Sequence, residues 1–419
     1  MKEKYVMGGT ADLFSEEWDE LCKPSREAGL RQLENFIPRA GRKYSNERNY
    51  DRGPNARDNV SLLSPWIRHR LLSEEEVINA AVDRFSFSTA EKFIQEVFWR
   101  SYFRGWLEHH PSVWGHYQND LARCIDELEH DTGLGISYEA AVYGKTEFQC
   151  FNAWVRELSG NGYLHNHARM WFASIWIFSL KLPWVLGADF FLRHLIDGDA
   201  ASNTLGWRWV AGLHTKGKMY LARRDNIRKY TDGRFDPENL CKDYNPLHEL
   251  AVHSTLPLST PDQIPAREFI LLITEDDCLG GLDILKNKIS GAIGYAAPAL
   301  RSPLKVSDKV KDFTTAAVLD ALGSLGATEA CLAQNCDKVV DLLHRSCASS
   351  GISDIVAIEP TTGPIKTSLM GLRETLSKGG VNLHLIRRNY DSLVWPLADR
   401  GFFKVKKKLP EILSALKSS

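Results

Sequence analysis

Two fold classes follow one another in this sequence: an all-helical region and, after it, a doubly wound parallel α/β domain. Three observations predict this. Apolar residues recur three and four apart through TAEKFIQEVFWRSYFRGWLEHH and LHNHARMWFASIWIFSLKL, the spacing that lines one face of a helix. From about residue 265 short apolar runs alternate with helical stretches, the signature of strand–helix–strand units around a parallel sheet. Between the two regions, residues 241–264 carry several Pro, Ser and Thr residues, as in NPLHELAVHSTLPLSTPDQIP, and read as a linker. The expected division is therefore 1–240, 241–264 and 265–419.

In the first region tryptophans sit inside the periodic helices. In the second, FILLIT is a short apolar run suited to a buried strand, DFTTAAVLDALGSLG a helix and ATEACLA a strand. CDKVVDLLHRSCASSG then reads as a helix, DIVAIEP as a strand, KTSLMGLRETLSKGG as a helix and NLHLIRR as a strand. FKVKKKLPEILSALK closes as a helix with a proline inside it.

At 419 residues the chain exceeds one ordinary core. A net charge of −1 argues against a protein that coats nucleic acid nonspecifically and leaves room for a local basic patch. One candidate patch is Lys216, Lys218, Arg223, Arg224, Arg228 and Lys229, interleaved with Tyr220 and Tyr230. A second is Arg52, Arg57, Arg68, His69 and Arg70; a solvated face explains either as well. The eight cysteines are scattered with no CxxC pair, so buried free thiols are favoured over disulfides or a metal site. No run of about 18 apolar residues is present, and the N-terminus lacks the apolar core of a secretory signal. A cytoplasmic location is expected.

The segment from Gly162 to Trp209 is the most informative. Asn166, Arg169 and Met170 are spaced i, i+3, i+4, so one helix face presents an amide, a guanidinium and a thioether. LIDGDAASNTLGWRW adds Asp197, Asp199, Asn203, Trp207 and Trp209, and FIQEVFWRSYF places Glu96, Trp99, Arg100 and Phe103 on one face. Singly, such pieces are ion pairs or core tryptophans. Together they put many polar groups into apolar helices, and buried polar groups need partners.

These residues resemble the FAD-binding domain of the DNA photolyase and cryptochrome family. YSNERNY followed by SLLSPWIRHRLLS resembles its first motif, FIQEVFWRSYF its Glu-Leu-x-Trp-Arg helix, and GKTEFQCFNAWVRELSGNGYLHNHARM with LIDGDAASNTLGWRW matches in order and spacing. The resemblance covers most of residues 20–240. It implies FAD held by Tyr44, Ser61, Leu63, Ser64 and Arg100. Ser61 and Ser64, at the start of a predicted helix, are suited to a pyrophosphate, although a plain helix cap explains Ser61 as well. By the same resemblance Arg169 pairs with Asp197 beside the flavin ring, Asp199 holds the ribityl or ribose edge, and Asn203 faces flavin N5.

Trp99 and Trp209 match the aromatic walls against which flipped bases pack, and Glu96, Asn166 and Met170 match the residues contacting a damaged base. Enzymes for six-four photoproducts usually place histidines where Asn166 and Met170 stand, so the resemblance implies light-driven repair of cyclobutane pyrimidine dimers. His165 and His167 lie off that face and read as packing or surface residues. Trp207 and Trp184 match the inner and middle members of a photoreduction chain. The outermost has no counterpart; Tyr138, Tyr143, Trp171 and Trp176 are the candidates to replace it.

The α/β region, which precedes the helical domain in ordinary members, follows it here and looks like the later half of the family's antenna domain. This implies a circular permutation. It leaves open an antenna chromophore of the folate or deazaflavin type. The partner implied is damaged DNA, with Lys216, Lys218, Arg223 and Arg224 as contacts, no membrane, and a monomer. A cryptochrome-like light sensor and a non-photochemical flavoprotein are the rival readings.

Overall fold

The computed structural model describes residues 18–418 except 19, 215–217 and 279–287. The first part is helical throughout. In chain order it comprises α1 (Arg26–Phe36), α2 (Arg42–Glu47), α3 (Ser64–Arg68), α4 (Glu74–Arg84), α5 (Phe87–His109), α6 (Pro111–His130) and α7 (Thr132–Val142). It continues with α8 (Gln149–Asn161), α9 (Asn166–Ser174), α10 (Trp184–His194), α11 (Ala200–Ala211) and α12 (Arg224–Tyr230). Local chemistry sets several starts: Ser73 and Glu76 close a capping box at α4, and the Asp199 carboxylate caps α11 through the Ser202 amide. The helical run expected through LHNHARMWFASIWIFSLKL ends its α-form at Ser174 and continues as a π-turn over Ile175–Ser179.

The second part is a five-stranded parallel sheet of β1 (Phe269–Thr274), β2 (Ile289–Tyr295), β3 (Leu332–Ala333), β4 (Asp354–Ile358) and β5 (Asn382–Ile386), in spatial order 3-2-1-4-5. Helices α13 (Asp308–Ser324), α14 (Cys336–Ser350) and α15 (Pro364–Lys378) connect the strands; α16 (Asn389–Val394) and α17 (Phe403–Ser418) end the chain. Alternate residues of β1 serve two cores. Phe269, Leu271 and Ile273 meet α13 and the helical region, while Ile270 and Leu272 meet α14 and α15. Burial on both faces is why FILLIT is apolar without alternation. The doubly wound parallel expectation holds.

Two local expectations do not hold as drawn. ATEACLA forms a 3-10 turn over Glu329–Cys331 and only two strand residues, and α17 runs through Pro410 as one helix.

The two regions share one core: residues 33–102 of the helical part pack with 390–416 of the C-terminal part. Through the same junction runs a buried ion network. Arg70 binds Asp391 at 2.7 and 2.8 Å and Glu74 at 3.1 Å, Arg68 meets Asp276 at 2.7 Å, and Arg388 binds Asp277 at 2.6 Å. This corrects the second basic patch. Arg57, Arg68, His69 and Arg70 are all buried, and their charges are matched by carboxylates more than a hundred residues away or across the junction, so they face no external polyanion.

Candidate functional site

Helix α5 supplies most of one wall. Glu96 lies on it with part of its carboxylate open to solvent and Arg48 Nε at 3.6 Å. Burial raises the affinity of this carboxyl for its proton, and Arg48 opposes the rise. One turn on, Trp99 is half-buried, and its indole stacks on Phe402 of the C-terminal segment with ring centres 3.8 Å apart and planes 13° from parallel. The face expected to receive a base is thus covered by an aromatic that sequence spacing could not reveal. Trp209, on α11, is 37% exposed and stacks on Tyr220 at 5.6 Å. Asn166 is exposed at the start of α9, and Met170 is half-buried against the helical core. The Tyr44–Asn49 segment ties these walls together: Arg48 faces Glu96, and the Asn49 carbonyl meets His167 Nδ1 at 2.9 Å. His165 and His167 are buried, as packing residues should be.

The structure joins Arg169 to Asp197, Nη2 to Oδ2 at 2.8 Å, and Arg169 Nε donates to the Leu164 carbonyl. The guanidinium also lies 5.5 Å from the Tyr163 ring centre, with Arg57 at 5.0 Å on the same ring. The second oxygen of Asp197, Oδ1, is buried without a hydrogen-bond partner. A buried carboxylate oxygen left bare costs of order 1–3 kcal/mol unless a donor meets it. That makes it the clearest sign of an external N–H or O–H at this place.

Asn203 is buried one helical turn into α11, and its Nδ2 donates to the Ala188 carbonyl at 2.7 Å. Trp207 is buried beside it in sequence register, and its ring lies so close to Gly187 that a Cβ there would stand 2.3 Å away. Trp176 follows at 6.2 Å from Trp207, then Tyr138 at 6.0 Å from Trp176. Trp184 opens α10 and has Tyr117 at 5.8 Å, with Trp114 5.0 Å beyond; neither of these two was singled out from the sequence.

Other expected cofactor residues are engaged differently. Asp199 Oδ2 accepts from Arg104 at 2.8 Å, with Arg100 at 3.9 Å, and these guanidiniums hold its carboxyl far below the usual range against the upward push of burial. Arg100 donates to Glu74 at 2.9 Å and to the Arg68 carbonyl. Burial and the neighbouring Arg104 lower its proton affinity to about 10. The polar cavity beside Asp199, lined also by Arg68, Glu275, Asp276 and Arg301, encloses about 10 Å³. It lies between the carboxyl ends of β1 and β4, where the strand order reverses. Such a space holds no ribityl chain. Arg100 and Asp199 therefore act in this structure as members of the junction network.

Tyr44 is buried between Phe36 and Phe93, which raises its hydroxyl well above the ordinary range, with Glu96 adding to the rise. Ser61 Oγ accepts from the Leu63 amide at 3.4 Å, and the Leu63 side chain is fully buried. Helix α3, which Ser64 begins, has only five residues and no side-chain cap, so its dipole offers an anion little. Leu62 (φ 57°) and Arg70 (φ 50°) flank it in left-handed conformations at a cost of about 1–3 kcal/mol each, strain that a packed junction can hold. Lys216 lies outside the described residues. Lys218, Arg223 and Arg224 are exposed, with Arg224 paired to Asp236 at 2.6 Å.

The residues present thus fit a flavin at one edge, through Arg169, Asp197 and Asn203. They do not fit the expected contacts at Arg100 and Asp199. Among the described residues no group of His, Cys, Asp and Glu could hold a metal, and no helix is long and apolar enough to cross a membrane.

A family model described as the FAD binding domain of DNA photolyase matches residues 93–251. The deoxyribodipyrimidine photo-lyase of Streptomyces griseus is 31% identical over 41% of this chain and 39% of its own length. That of Escherichia coli is 30% identical over 46% and 40%, and that of Neurospora crassa 29% identical over 50% and 34%. The chain thus spans about two fifths or less of these curated relatives. A class III photolyase structure from Agrobacterium tumefaciens aligns over 54% of this chain and 46% of its own, at 24% identity and a TM-score of 0.43. A Synechocystis cryptochrome aligns over 50% and 43%, with a TM-score of 0.40. Over residues 93–251, this chain belongs to the FAD-binding domain family of DNA photolyase.

Proposed function

We propose that this chain binds FAD in its helical part and carries out light-dependent repair of cyclobutane pyrimidine dimers in DNA. The observation that carries the cofactor half is Asp197, whose one oxygen is fixed by Arg169 and whose other is buried and bare inside the matched segment. When bound and fully reduced, FAD supplies a light-driven electron, chemistry no side chain here can supply. The protein's share is electrostatic and positional. Arg169 and Asp197 hold the polar edge of the ring, Asn203 stands as an amide rather than an acid beside it, and Trp207 closes the apolar side. Glu96, with its raised proton affinity, is suited to hydrogen-bonding a base through a shared proton, and Asn166 and Met170 line the same mouth. Trp207 and Trp184 are the proposed electron relays, with Trp176 and Tyr138 or Tyr117 and Trp114 leading outward. Lys218, Arg223 and Arg224 are proposed phosphate contacts.

We extend the proposal to organisation: a helical unit to residue 240, a linker over 241–264, an α/β unit over 265–419, and circular permutation as the origin of that order. A second reading, a blue-light sensor without repair activity, is favoured by one observation, the Phe402 ring on Trp99. Illuminating the reduced protein with a dimer-bearing oligonucleotide decides between them. Recovery of thymine absorbance is expected for repair, and none, with reduced flavin bound, for sensing.

A further inference from the structure

His109 is the last residue of α5 and is buried. Its Nδ1 lies 2.7 Å from the Leu256 carbonyl oxygen in the linker, and its Nε2 lies 3.1 Å from the Trp395 carbonyl oxygen in the C-terminal segment. Carbonyl oxygens only accept. A neutral imidazole has one N–H, so it satisfies one of these contacts and leaves lone pair against lone pair at the other; the imidazolium satisfies both. The neighbouring His110 makes the contrast. Its ring nitrogens meet the Trp106 carbonyl at 2.8 Å and the Thr255 hydroxyl at 3.0 Å, and a hydroxyl can donate, so a neutral ring serves there. Burial lowers His110's proton affinity, in agreement.

The charges around His109 come from each packed element. On its own helix are His110 and Glu108, the latter held by Lys366 and Thr362. From the linker comes His253, which faces His110 and pairs with Glu249 at 3.2 Å. From the C-terminal side come Arg387, whose guanidinium lies 5.1 Å from the Trp395 ring, and Asp399, which interacts with both His109 and His110 and binds Lys404 at 2.6 Å. Asp399 and the carbonyl end of α5 favour a cation; His110 opposes it.

What the cation holds is a strip of chain. Residues 395–402 run back along α5. Trp395 and Ala398 press on Gly105, where a Cβ would come within 2.9 Å of both, and Phe402 reaches Trp99. The Leu256 amide donates to the His109 carbonyl at 2.7 Å, so the linker is pinned at the same point.

We infer that His109 is a proton-dependent clasp that fastens the linker and the 395–402 strip to α5 and so keeps Phe402 over Trp99. Loss of the proton removes one of the two hydrogen bonds, so the strip loosens as pH rises. The clasp rests on hydrogen-bond geometry alone and stands whether or not the chain repairs DNA.

The test uses the full chain. Nitrogen NMR of the imidazole rings, with the His109 signal identified by its absence in His109→Gln, is expected to show both nitrogens protonated at about pH 6. Hydrogen exchange of peptides covering 395–402, corrected for the chemical effect of pH, is expected to lose protection about tenfold between about pH 6 and about pH 9, one charged hydrogen bond's worth. In His109→Gln, protection should be low and independent of pH. A singly protonated ring at about pH 6, or wild-type protection that does not change with pH, overturns the inference; the NMR arm needs no folded variant.

Discussion

Replacing Arg70 with Met should cost about 3–5 kcal/mol, because it leaves a buried charge without its counter-ion. Arg70 is 2% exposed and is the only printed ionic partner of Asp391, which it binds through two nitrogens at 2.7 and 2.8 Å. Its other partners have alternatives: Glu74 keeps Arg100 at 2.9 Å, and Asp277 keeps Arg388 at 2.6 Å. The loss therefore falls mainly on Asp391. The left-handed backbone at this position is no worse for Met than for Arg, so strain does not enter the difference. Removing both charges, Arg70→Met with Asp391→Leu, should recover most of the loss, since a buried pair replaced by apolar groups of similar size is often neutral. Urea unfolding of the single and double variants, followed by tryptophan fluorescence, gives the coupling between the two sites. A single-variant cost under about 1 kcal/mol, or strictly additive effects, would refute the claim that this network holds the junction.

Acid should weaken the same junction. The guanidiniums of Arg70, Arg100 and Arg104 overcome burial and hold the Glu74 carboxyl down at about 2 from an ordinary 4.5. Since the folded value is the lower one, the stabilisation is complete above about pH 4.5 and is lost as pH falls toward 2; thermal midpoints in that window should drop steeply in the wild type and less in Glu74→Gln. Gly187→Ala would bring helix propensity worth about 1 kcal/mol, but its Cβ would meet the rigid Trp207 ring at 2.3 Å. Overpacking at about 1–3 kcal/mol wins, and a lowered midpoint with altered near-ultraviolet dichroism of the tryptophans is expected. Glu96→Ala should leave stability within about 1 kcal/mol, as its pair with Arg48 is partly exposed, and should leave flavin binding intact while lowering repair yield; loss of flavin on purification would place Glu96 in the wrong role.

Legibility followed sequence distance. β1 is readable because both its faces are buried, so six apolar residues stand together. β2, ISGAIGY, was missed because its glycines look like turn. Gly294 is there so that Val318 and Leu322 can close on the sheet, where a Cβ would sit 2.7 Å from each. The Arg169–Asp197 pair was legible through the family's spacing, with its partners 28 residues apart. The buried network was not: Arg68, His69 and Arg70 look like a basic surface until Glu275, Asp276, Asp277 and Asp391 arrive from more than 200 residues away. Phe402 on Trp99 is hidden for the same reason, since an aromatic in a lysine-rich stretch carries no local sign of what it covers.

Physical reasoning about polar satisfaction, applied to the fold, found what spacing could not. It picked out the one carboxylate oxygen at the flavin-edge candidate that has nothing to bind, and the one histidine that faces two carbonyls.

The measurement closest to the central claim is flavin content by absorbance, after incubation with FAD and removal of the unbound cofactor, for the wild type and Asp197→Ala. Wild type retaining about one flavin per chain, and the folded variant retaining little, is the expected result, because the bare oxygen of a buried carboxylate is argued to be where the ring is held. Equal retention by both, or none by the wild type, would contradict it.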